Sequence, residues 1–370
     1  MRGPRRIHFV AIGGTGMGAL AGLCKRRGLA VTGSDKKLYP PMSTKLEEWG
    51  IEVDEGFAAR HVTSRDPDLV VIGNAVRKDN AEAKATIRAG LPYMSFPDAL
   101  FALAMRDKRR IVVAGTHGKT TTTTMIASML HHLGRDPSFL IGGIPVEFGD
   151  SFRDGGGEDF VVEGDEYDSA FFEKTPKFWR YRPWAVAITS VEHDHVDIYP
   201  TAEAYRAAFA ELVRRIPDDG LLVGWAGDPT VRELAAGARC RVRLYAVDGD
   251  DCGGESPVWL AALGPTTGGT TAFDVFGAGT FCGRGVLPGA GRHNVRNALA
   301  IEIMTAAAGL DQRAPLVPSK GVRVALERVR SVVLPMTEDR PLYKDIAAVA
   351  DLLHSRDLAG AVEAAVGRLA

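Results

Sequence analysis

The feature that most constrains this chain is a glycine-rich segment at 115–123, which lies between a strand-like run and a helix-like run. The run before it, 110–114, is mostly apolar and rich in β-branched residues, and the run after it, 125–130, suits a helix. A buried strand, a glycine-rich turn and a helix N-terminus form a cradle in which backbone N–H groups and the positive end of the helix face an anion. The pattern therefore predicts a phosphate-binding loop in an α/β fold.

The side chains at the end of this turn have the chemistry of a nucleotide site. Lys119 can reach a terminal phosphate, and the Thr120 hydroxyl can ligate Mg²⁺. The strict spacing G-x-x-x-x-G-K-[ST] is not met, because Val113 occupies the place of the first glycine. The segment is thus a shortened variant for which ATP or GTP is the predicted ligand. The alternative is a glycine-containing turn with a solvated lysine.

Length and composition bound the remaining possibilities. The 370 residues suggest two or three domains, and the charged fraction of 25% is that of an ordinary globular protein. A formal net charge of -1 gives no reason to expect nucleic acid or an anionic membrane as a partner, and no apolar run approaches the ~20 residues that span a bilayer. Four scattered cysteines without a C-x-x-C pair favour a reducing cytoplasm and no structural zinc.

The N-terminal stretch predicts a second ligand-binding unit. A short apolar strand at 8–12 runs into glycines, and Gly14, Gly16 and Ala19 match the G-x-G-x-x-[GA] fingerprint of Rossmann-like folds. Asp35 ends the next strand-like run, near the position that contacts a ribose. Apolar strands alternate with helices over roughly the first hundred residues, so we expect a parallel α/β sheet. The fingerprint alone is weak, and NAD is the alternative ligand.

A second α/β domain is predicted from residue 109 onward, with polar residues after two of its strands. Glu163 ends one apolar run, and His195 closely follows another. Because ligands bind outside the carboxyl ends of parallel strands, Glu163 and His195 should gather with the loop at 115–120 on one rim. A solvated acidic loop and ordinary surface histidines are the alternatives. The stretch 264–271 has low complexity and is predicted to be a loop.

Four motifs occur in an order that is similar to that of the Mur ligases, the ATP-dependent amide ligases of peptidoglycan assembly. The motifs lie at 13–18, 115–123, 163–168 and 291–300. The resemblance covers about residues 7–310. It implies a Rossmann-like N-terminal domain that binds a UDP-sugar, a central P-loop-type ATPase domain and a C-terminal α/β domain. The bounds we assign to these domains are 1–105, 106–310 and 311–370.

Within the family, the third motif continues in a way that is similar to the branch that adds the tripeptide L-Ala-γ-D-Glu-meso-diaminopimelate to UDP-N-acetylmuramate. The continuation includes Tyr167, the pair Phe171-Phe172 and Lys174. The branch that adds L-alanine to the same UDP-sugar usually lacks the tyrosine and this extension. The resemblance therefore implies a cytoplasmic ligase of peptidoglycan recycling whose partners are UDP-N-acetylmuramate and a muropeptide-derived tripeptide. Addition of L-alanine is the alternative.

The resemblance also implies roles for individual residues. ATP would be held by Gly115, Thr116, His117, Gly118, Lys119, Thr120, Thr121, His293, Asn294 and Asn297. Magnesium would be held by Thr120, Glu163 and His195. The catalytic residues would be Lys119, Glu163 and His195. The UDP-sugar would contact Gly14, Thr15, Gly16, Met17, Gly18, Ser34, Asp35 and Asn74.

These roles follow the chemistry that the family uses. Amide synthesis from a carboxylate requires an activated acyl group, which Mur ligases make as an acyl phosphate from ATP. The carboxylate and the transferred phosphoryl group repel each other, so cations must neutralise both. Lys119 and Mg²⁺ would supply that positive charge, and Mg²⁺ prefers oxygen ligands such as a hydroxyl and a carboxylate.

The C-terminal part departs from the family pattern. Mur ligases carry a segment like Asp-[Tyr/Phe]-Ala-His-His-Pro there, whereas His354 is the only histidine after His293 in this chain. About 60 residues follow Gly309, fewer than the ~100–150 of a typical domain. We expect this domain to be shortened and ligation to be weak, because the attacking amine would be poorly positioned. A protein that binds ATP and the UDP-sugar without completing the ligation is the alternative.

Overall fold

The computed structural model describes residues 3–194, 198–254, 256–267, 270–288 and 293–300. These residues form a mixed α/β structure with two main sheets, which confirms the predicted fold class for this part of the chain. The predicted C-terminal domain at 311–370 lies outside the described residues, and the three domain bounds stay a prediction. None of the helices in the described part is long and apolar enough to cross a bilayer.

The first sheet contains five short strands that alternate with helices. The strands are β1 (Arg6–Val10), β2 (Ala30–Asp35), β3 (Glu52–Glu55), β4 (Leu69–Ile72) and β5 (Tyr93–Ser95). The helices are α1 (Thr15–Arg26), α2 (Met42–Glu48), α3 (Ala59–Thr63), α4 (Ala81–Arg88), α5 (Phe96–Leu100) and a π-helix (Phe101–Met105). All neighbouring strands are parallel, in the order β3-β2-β1-β4-β5, as the sequence predicts. The carboxyl ends of β2, β1 and β4 therefore lie side by side at one edge.

The second sheet is larger and mixed. Its strands are β6 (Arg109–Ala114), β7 (Ser138–Leu140), β8 (Phe152–Arg153), β9 (Asp159–Gly164), β12 (Ala185–Ile188), β13 (Leu221–Trp225), β14 (Arg241–Val247), β15 (Trp259–Thr267), β16 (Thr270–Gly277) and β17 (Thr280–Pro288), while β10 (Asp168–Ala170) and β11 (Glu173–Pro176) form a separate hairpin. The helices are α6 (Lys119–His132), a 3₁₀ helix (Lys177–Tyr181), α7 (Ala202–Arg214), α8 (Pro229–Ala236) and a helix over 293–300.

The order of the ten strands is β17-β16-β15-β14-β13-β12-β6-β9-β7-β8. In this order, every pair from β15-β14 to β9-β7 is parallel, and the antiparallel pairs, β17-β16, β16-β15 and β7-β8, lie at the two ends of the sheet. The carboxyl ends of β6, β9 and β12 thus meet at one rim, with β6 between the other two. This is the rim on which the sequence predicts the functional residues.

The predicted loop at 264–271 was wrong for most of its length. Strand β15 continues to Thr267, and β16 begins at Thr270. Thr266 pairs with Thr271 across the two strands, and their hydroxyl oxygens lie 3.2 Å apart. Threonine is β-branched and favours extended backbone, so low sequence complexity was a poor guide to structure here.

Strand β6 carries apolar side chains to both faces of the second sheet. Ile111 and Val113 pack with Ile126 and Leu130 of α6 on one face, whereas Val112 and Ala114 belong to the core on the other face. This alternation follows from the two-residue repeat of a strand. Because both faces are buried, the end of β6 and the turn that follows it are held rigidly.

The two sheets are joined by a core and by ion pairs at the end of α1. Phe152 packs edge-on against Trp49, with ring centroids 5.0 Å apart, and both rings lie against Gly22 of α1. Arg27 forms a bidentate contact with Asp154 across the same junction. The C-terminal half of α1 is thereby fastened to the second sheet.

Candidate functional site

The turn between β6 and α6 requires glycine at two positions. Gly115 has φ +133°, and a side chain there would place its Cβ 2.2 Å from Thr189 Oγ1 and 2.8 Å from the Ser190 carbonyl. Gly118 has φ +79° and is the N-cap of α6. These are left-handed conformations that glycine adopts without strain. The turn therefore leads directly into the N-terminus of α6 at this rim, which is the arrangement of phosphate-binding loops.

Lys119 lies over this turn and is bound to a buried carboxylate. Its Nζ donates to the Gly115 carbonyl at 2.7 Å and lies 3.2 Å from Glu166 Oε2. Glu166 is fully buried, and Tyr205 donates from its hydroxyl to Oε1 at 3.3 Å. The lysine charge is thus held above the turn, where the phosphates of a nucleotide would lie.

Thr120 and Glu163 are brought together from α6 and β9. The Thr120 hydroxyl donates to Glu163 Oε2 at 3.1 Å, and the Gly142 N–H donates to Oε1 at 2.7 Å. Burial raises the pKa of the Glu163 carboxyl, although these two hydrogen bonds act in the opposite direction. A half-buried carboxylate beside a hydroxyl gains from a bound cation, because the cation replaces water that partial burial removes.

The Thr120 hydroxyl and the Glu163 carboxylate fit magnesium better than a metal whose ligands all come from protein side chains. No group of three or more His, Cys, Asp or Glu side chains in the described part of the chain is placed to hold a metal ion. Mg²⁺ usually takes one or two protein oxygens and completes its shell with water and substrate phosphates. His195, the third predicted metal ligand, lies outside the described residues.

The segment that leads to His195 is anchored near the phosphate loop. Asp228 accepts the Val191 N–H at 2.6 Å, and the Thr116 hydroxyl donates to the Glu192 carbonyl at 2.9 Å. His193 lies 2.8 Å from the Tyr199 carbonyl. The carboxyl end of β12 is therefore fixed beside the loop, as its parallel pairing with β6 requires.

The remaining residues that the sequence assigns to ATP lie around the loop at different depths. His117 is exposed and lies 3.5 Å from the Glu192 carboxylate, and Thr121 is exposed on the first turn of α6. Asn297 is buried, with its amide about 3 Å from where a Cβ on Gly118 would be. His293 is exposed and Asn294 half-buried on the same helix, 293–300. Of these, Asn297 is the residue that the fold places against the loop.

A cavity of about 360 Å³ connects the two sheets next to Glu163. On one side it is lined by the loop before α1 and the first residues of that helix, and on the other by residues of β9, of the end of β7 and of the segments that follow them. The residues predicted to contact a UDP-sugar that line it are Gly14, Thr15, Gly16, Met17 and Asn74. From the second sheet the lining includes Glu163, Asp165, Lys177 and Tyr181.

Two of the residues predicted to contact the UDP-sugar are used differently. Gly18 is buried in α1, and a Cβ there would lie 2.2 Å from Met42 Sδ, so this glycine allows α1 and α2 to pack closely. Ser34 is fully buried, and its hydroxyl donates to Glu82 at 2.5 Å. Neither residue lines the cavity, and their contact with the UDP-sugar stays a prediction. Asp35, half-buried, accepts the Gly13 N–H at 2.7 Å and so shapes the loop.

The sequence did not predict a role in the site for three residues of this region. Glu166 pairs with Lys119, Lys177 Nζ binds Asp165 at 2.8 Å, and Tyr181 is a buried member of the cavity wall. Glu166 lies in the acidic motif at 163–168, which the sequence did indicate, but its pairing with Lys119 could not be predicted from that motif. Asp165 and Glu166 are neighbours whose side chains point to the cavity and to the phosphate loop, respectively.

The fold and this site define an α/β protein with a phosphate-binding loop on the second sheet and a ligand cavity shared with the first. A model of the Mur ligase middle domain matches residues 113–305, and a model of the Mur ligase family catalytic domain matches residues 6–108. The chain belongs to the Mur ligase family.

The matching curated relatives include ligases of two types. One is the UDP-N-acetylmuramate–L-alanyl-γ-D-glutamyl-meso-2,6-diaminoheptandioate ligase of Escherichia coli (strain K12), 43% identical over 231 residues, which are 62% of this chain and 50% of that protein. Another is the UDP-N-acetylmuramate–L-alanine ligase of Arthrobacter sp. (strain FB24), 38% identical over 304 residues, which cover 80% of this chain and 59% of that protein. The chain thus spans about half to three-fifths of the length of these curated relatives.

A solved structure supports the same relationship. The crystal structure of the UDP-N-acetylmuramate:L-alanyl-γ-D-glutamyl-meso-diaminopimelate ligase from Neisseria meningitides aligns with a TM-score of 0.75 at 38% sequence identity. The alignment covers 83% of this chain and 94% of that chain.

Proposed function

We propose that this chain is an ATP-dependent ligase that joins the tripeptide L-Ala-γ-D-Glu-meso-diaminopimelate to UDP-N-acetylmuramate in the cytoplasm. The observation that carries the proposal is the shared position of Glu163. Its carboxylate touches Thr120 of the phosphate loop and also lines the cavity that begins at Gly14. Glu163 thus lies between the loop that we propose to hold the phosphate donor and the cavity that we propose to hold the acceptor.

In the proposed reaction an acceptor carboxylate oxygen attacks the terminal phosphorus of ATP, and ADP leaves. The tripeptide amine then attacks the acyl carbon of the resulting acyl phosphate, loses a proton and displaces inorganic phosphate. Lys119 would neutralise charge on the transferred phosphoryl group, as a cation held above the loop is suited to do. The residues Gly115 to Thr121 and Asn297 would hold the nucleotide, with His293 and Asn294 nearby.

Thr120 and Glu163 would hold Mg²⁺, with His195 as the third proposed ligand. The ion would supply positive charge that neutralises the phosphates and the acceptor carboxylate. Glu163 must be ionised to act as a ligand, and the Gly142 N–H and the Thr120 hydroxyl favour its ionised form.

The acceptor would lie in the 360 Å³ cavity, with its UDP part on the loop before α1. Gly14, Thr15, Gly16, Met17 and Asn74 are the proposed contacts on the first sheet. Lys177 adds a positive charge on the opposite wall, although Asp165 shares it. The cavity position of Glu163 would bring the acceptor carboxylate toward the phosphate loop.

The tripeptide is favoured as the amine by the extension after the acidic motif and by the E. coli and Neisseria relatives, whose names specify it. A second candidate, addition of L-alanine, is supported by relatives of that type at 38% identity over most of this chain. The two reactions share the phosphoryl transfer and the UDP-sugar and differ in the amine alone.

The test is a ligation assay on the purified chain with ATP, Mg²⁺ and UDP-N-acetylmuramate, given either the tripeptide or L-alanine. Phosphate release measures turnover, and mass spectrometry identifies the product. Thr120→Val removes the hydroxyl at Glu163 while keeping the side-chain shape, and it should lower turnover at least tenfold. Thr124→Val, further along α6 and outside the site, is the matched control.

Each outcome has a defined meaning. A UDP-muramyl tripeptide product supports the proposal, and a product with L-alanine alone supports the second candidate. Phosphate release that requires UDP-N-acetylmuramate but yields no product would indicate a chain that activates the acceptor without completing ligation. A chain that binds neither ATP nor UDP-N-acetylmuramate by calorimetry would overturn all three.

A further inference from the structure

A buried carboxylate lies behind the loop that precedes α1, which we call the glycine loop (residues 11–14). Glu82, on the first turn of α4, has no exposed surface. It accepts hydrogen bonds from the Ser34 hydroxyl at 2.5 Å and His61 Nδ1 at 2.7 Å. The Ala58 N–H and His8 Nε2 donate to it at 3.2 and 3.4 Å. A carboxylate without water is costly unless donors surround it, and here four donors from β1, β2 and the start of α3 do so.

Ser34 connects this carboxylate to the glycine loop. Its hydroxyl donates to Glu82, while its backbone carbonyl accepts the N–H groups of Ala11 and Ile12 at 2.9 and 3.1 Å. The next residue, Asp35, accepts the Gly13 N–H at 2.7 Å. The carboxyl end of β2 therefore binds three consecutive backbone N–H groups of the loop.

The loop needs such a restraint because its backbone is strained. Ala11 has φ +66°, in the left-handed region that residues with a Cβ adopt at a cost. A strained conformation persists only where the surrounding hydrogen bonds specify it. Gly14, the last residue of the loop, lines the cavity. Small movements at β2 would thus reach the ligand side of the loop.

We propose that Glu82 is a positioning residue that fixes the carboxyl end of β2 and, through Ser34, holds the glycine loop in the conformation that binds the diphosphate of the acceptor. The identity of that ligand rests on the proposed function, whereas the positioning of the loop does not.

The charge state of the cluster agrees with this role. Burial alone would raise the pKa of Glu82, but the hydrogen bonds from His8, Ser34 and His61 outweigh it and leave the pKa below its ordinary value of 4.5. Glu82 is therefore an ionised acceptor near neutral pH. The titratable groups that face it are His8 on β1 and His61 on α3.

The first test needs no ligand. Amide hydrogen exchange by mass spectrometry would compare the wild-type chain with Ser34→Ala and Glu82→Gln, using peptides that contain the glycine loop. Loss of one hydrogen bond should raise exchange in that loop about three- to tenfold. Thr86→Ala removes another buried hydroxyl of α4, which donates to the Glu82 carbonyl and not to the carboxylate. This control should destabilise α4 without changing exchange in the loop.

The second test measures binding. Ser34→Ala and Glu82→Gln should raise Kd and KM for UDP-N-acetylmuramate about three- to tenfold, with the Kd for ATP and kcat at saturating acceptor unchanged. Glu82→Gln should be milder than Glu82→Ala, because the amide can still bond to the Ser34 hydroxyl. A merely structural residue would lower ATP binding in parallel and would show no such rescue.

The outcomes separate the two proposals. If loop exchange is faster in both variants but the wild-type chain binds no UDP-sugar, the positioning role is upheld and the proposed function is overturned. Normal binding of UDP-N-acetylmuramate together with unchanged exchange and Kd in both variants would overturn the positioning role. Equal loss of ATP and UDP-sugar binding in both variants would also overturn it.

Discussion

Replacing Lys119 tests whether its ion pair with Glu166 is part of the folded structure before any nucleotide binds. The Lys119 side chain is 17% exposed, the Glu166 side chain is fully buried, and their charged atoms lie 3.2 Å apart. Lys119→Met removes the charge but keeps most of the apolar stem. The Glu166 carboxylate then stays in a dry environment without its cation.

The size of the effect follows from that burial. Removing one partner of a buried ion pair costs about 3–5 kcal/mol, because the remaining charge keeps its desolvation penalty. The Tyr205 hydroxyl, 3.3 Å from Glu166, offsets part of this, so we expect about 3 kcal/mol. For a unit of about 200 residues this lowers Tm by roughly 6–12 °C. Lys119→Met/Glu166→Gln leaves no buried charge and should recover about half of the loss or more.

The assay is thermal and urea unfolding of the ligand-free chain near neutral pH, followed by circular dichroism. The matched control is Lys174→Met, because Lys174 and its partner Asp168 are 70% and 30% exposed. An exposed pair contributes about 0–1 kcal/mol, so this variant should unfold close to wild type.

Two results would refute the reasoning. An unchanged urea midpoint in Lys119→Met would mean that Glu166 finds water or another donor at no cost. A double variant that is less stable than Lys119→Met would mean that the loss comes from packing of the lysine stem and not from the buried charge.

Three other perturbations have directions that the structure sets. Gly115→Ala should weaken ATP binding at least tenfold by calorimetry, because the new Cβ would lie 2.8 Å from the Ser190 carbonyl. The control is Gly283→Ala, because open space surrounds Gly283. Arg27→Ala should lower the free energy of unfolding by about 1–3 kcal/mol in urea, because it breaks the charged hydrogen bonds to Asp154. The pKa of Glu82 is lowered in the folded chain. The difference in free energy of unfolding between wild type and Glu82→Gln should therefore be greatest above about pH 5 and shrink as the pH falls below 4.5. Unfolding measured over a range of pH checks this.

The sequence predicted the features that depend on neighbouring residues. An apolar strand, a glycine turn with Lys119 and Thr120, and a helix start lie within 25 residues of each other, and the turn has the predicted form. The parallel rule for strand ends placed Glu163 beside that turn, where it lies. The first sheet followed from the alternation of strands and helices. In each of these the physical cause is a local backbone preference or a rule of sheet topology, and both can be recognised along the chain.

Only the tertiary structure decided which residues distant in sequence are in contact and which side chains those contacts bury. Glu166 meets Lys119 across 47 positions, and Ser34 meets Glu82 across 48. The family resemblance assigned Ser34 to the UDP-sugar site, and the structure shows its buried hydroxyl bound to Glu82 of α4. Whether a polar side chain faces a ligand or a buried partner depends on which element packs over it, and neither the residue nor its neighbours in sequence specify that element.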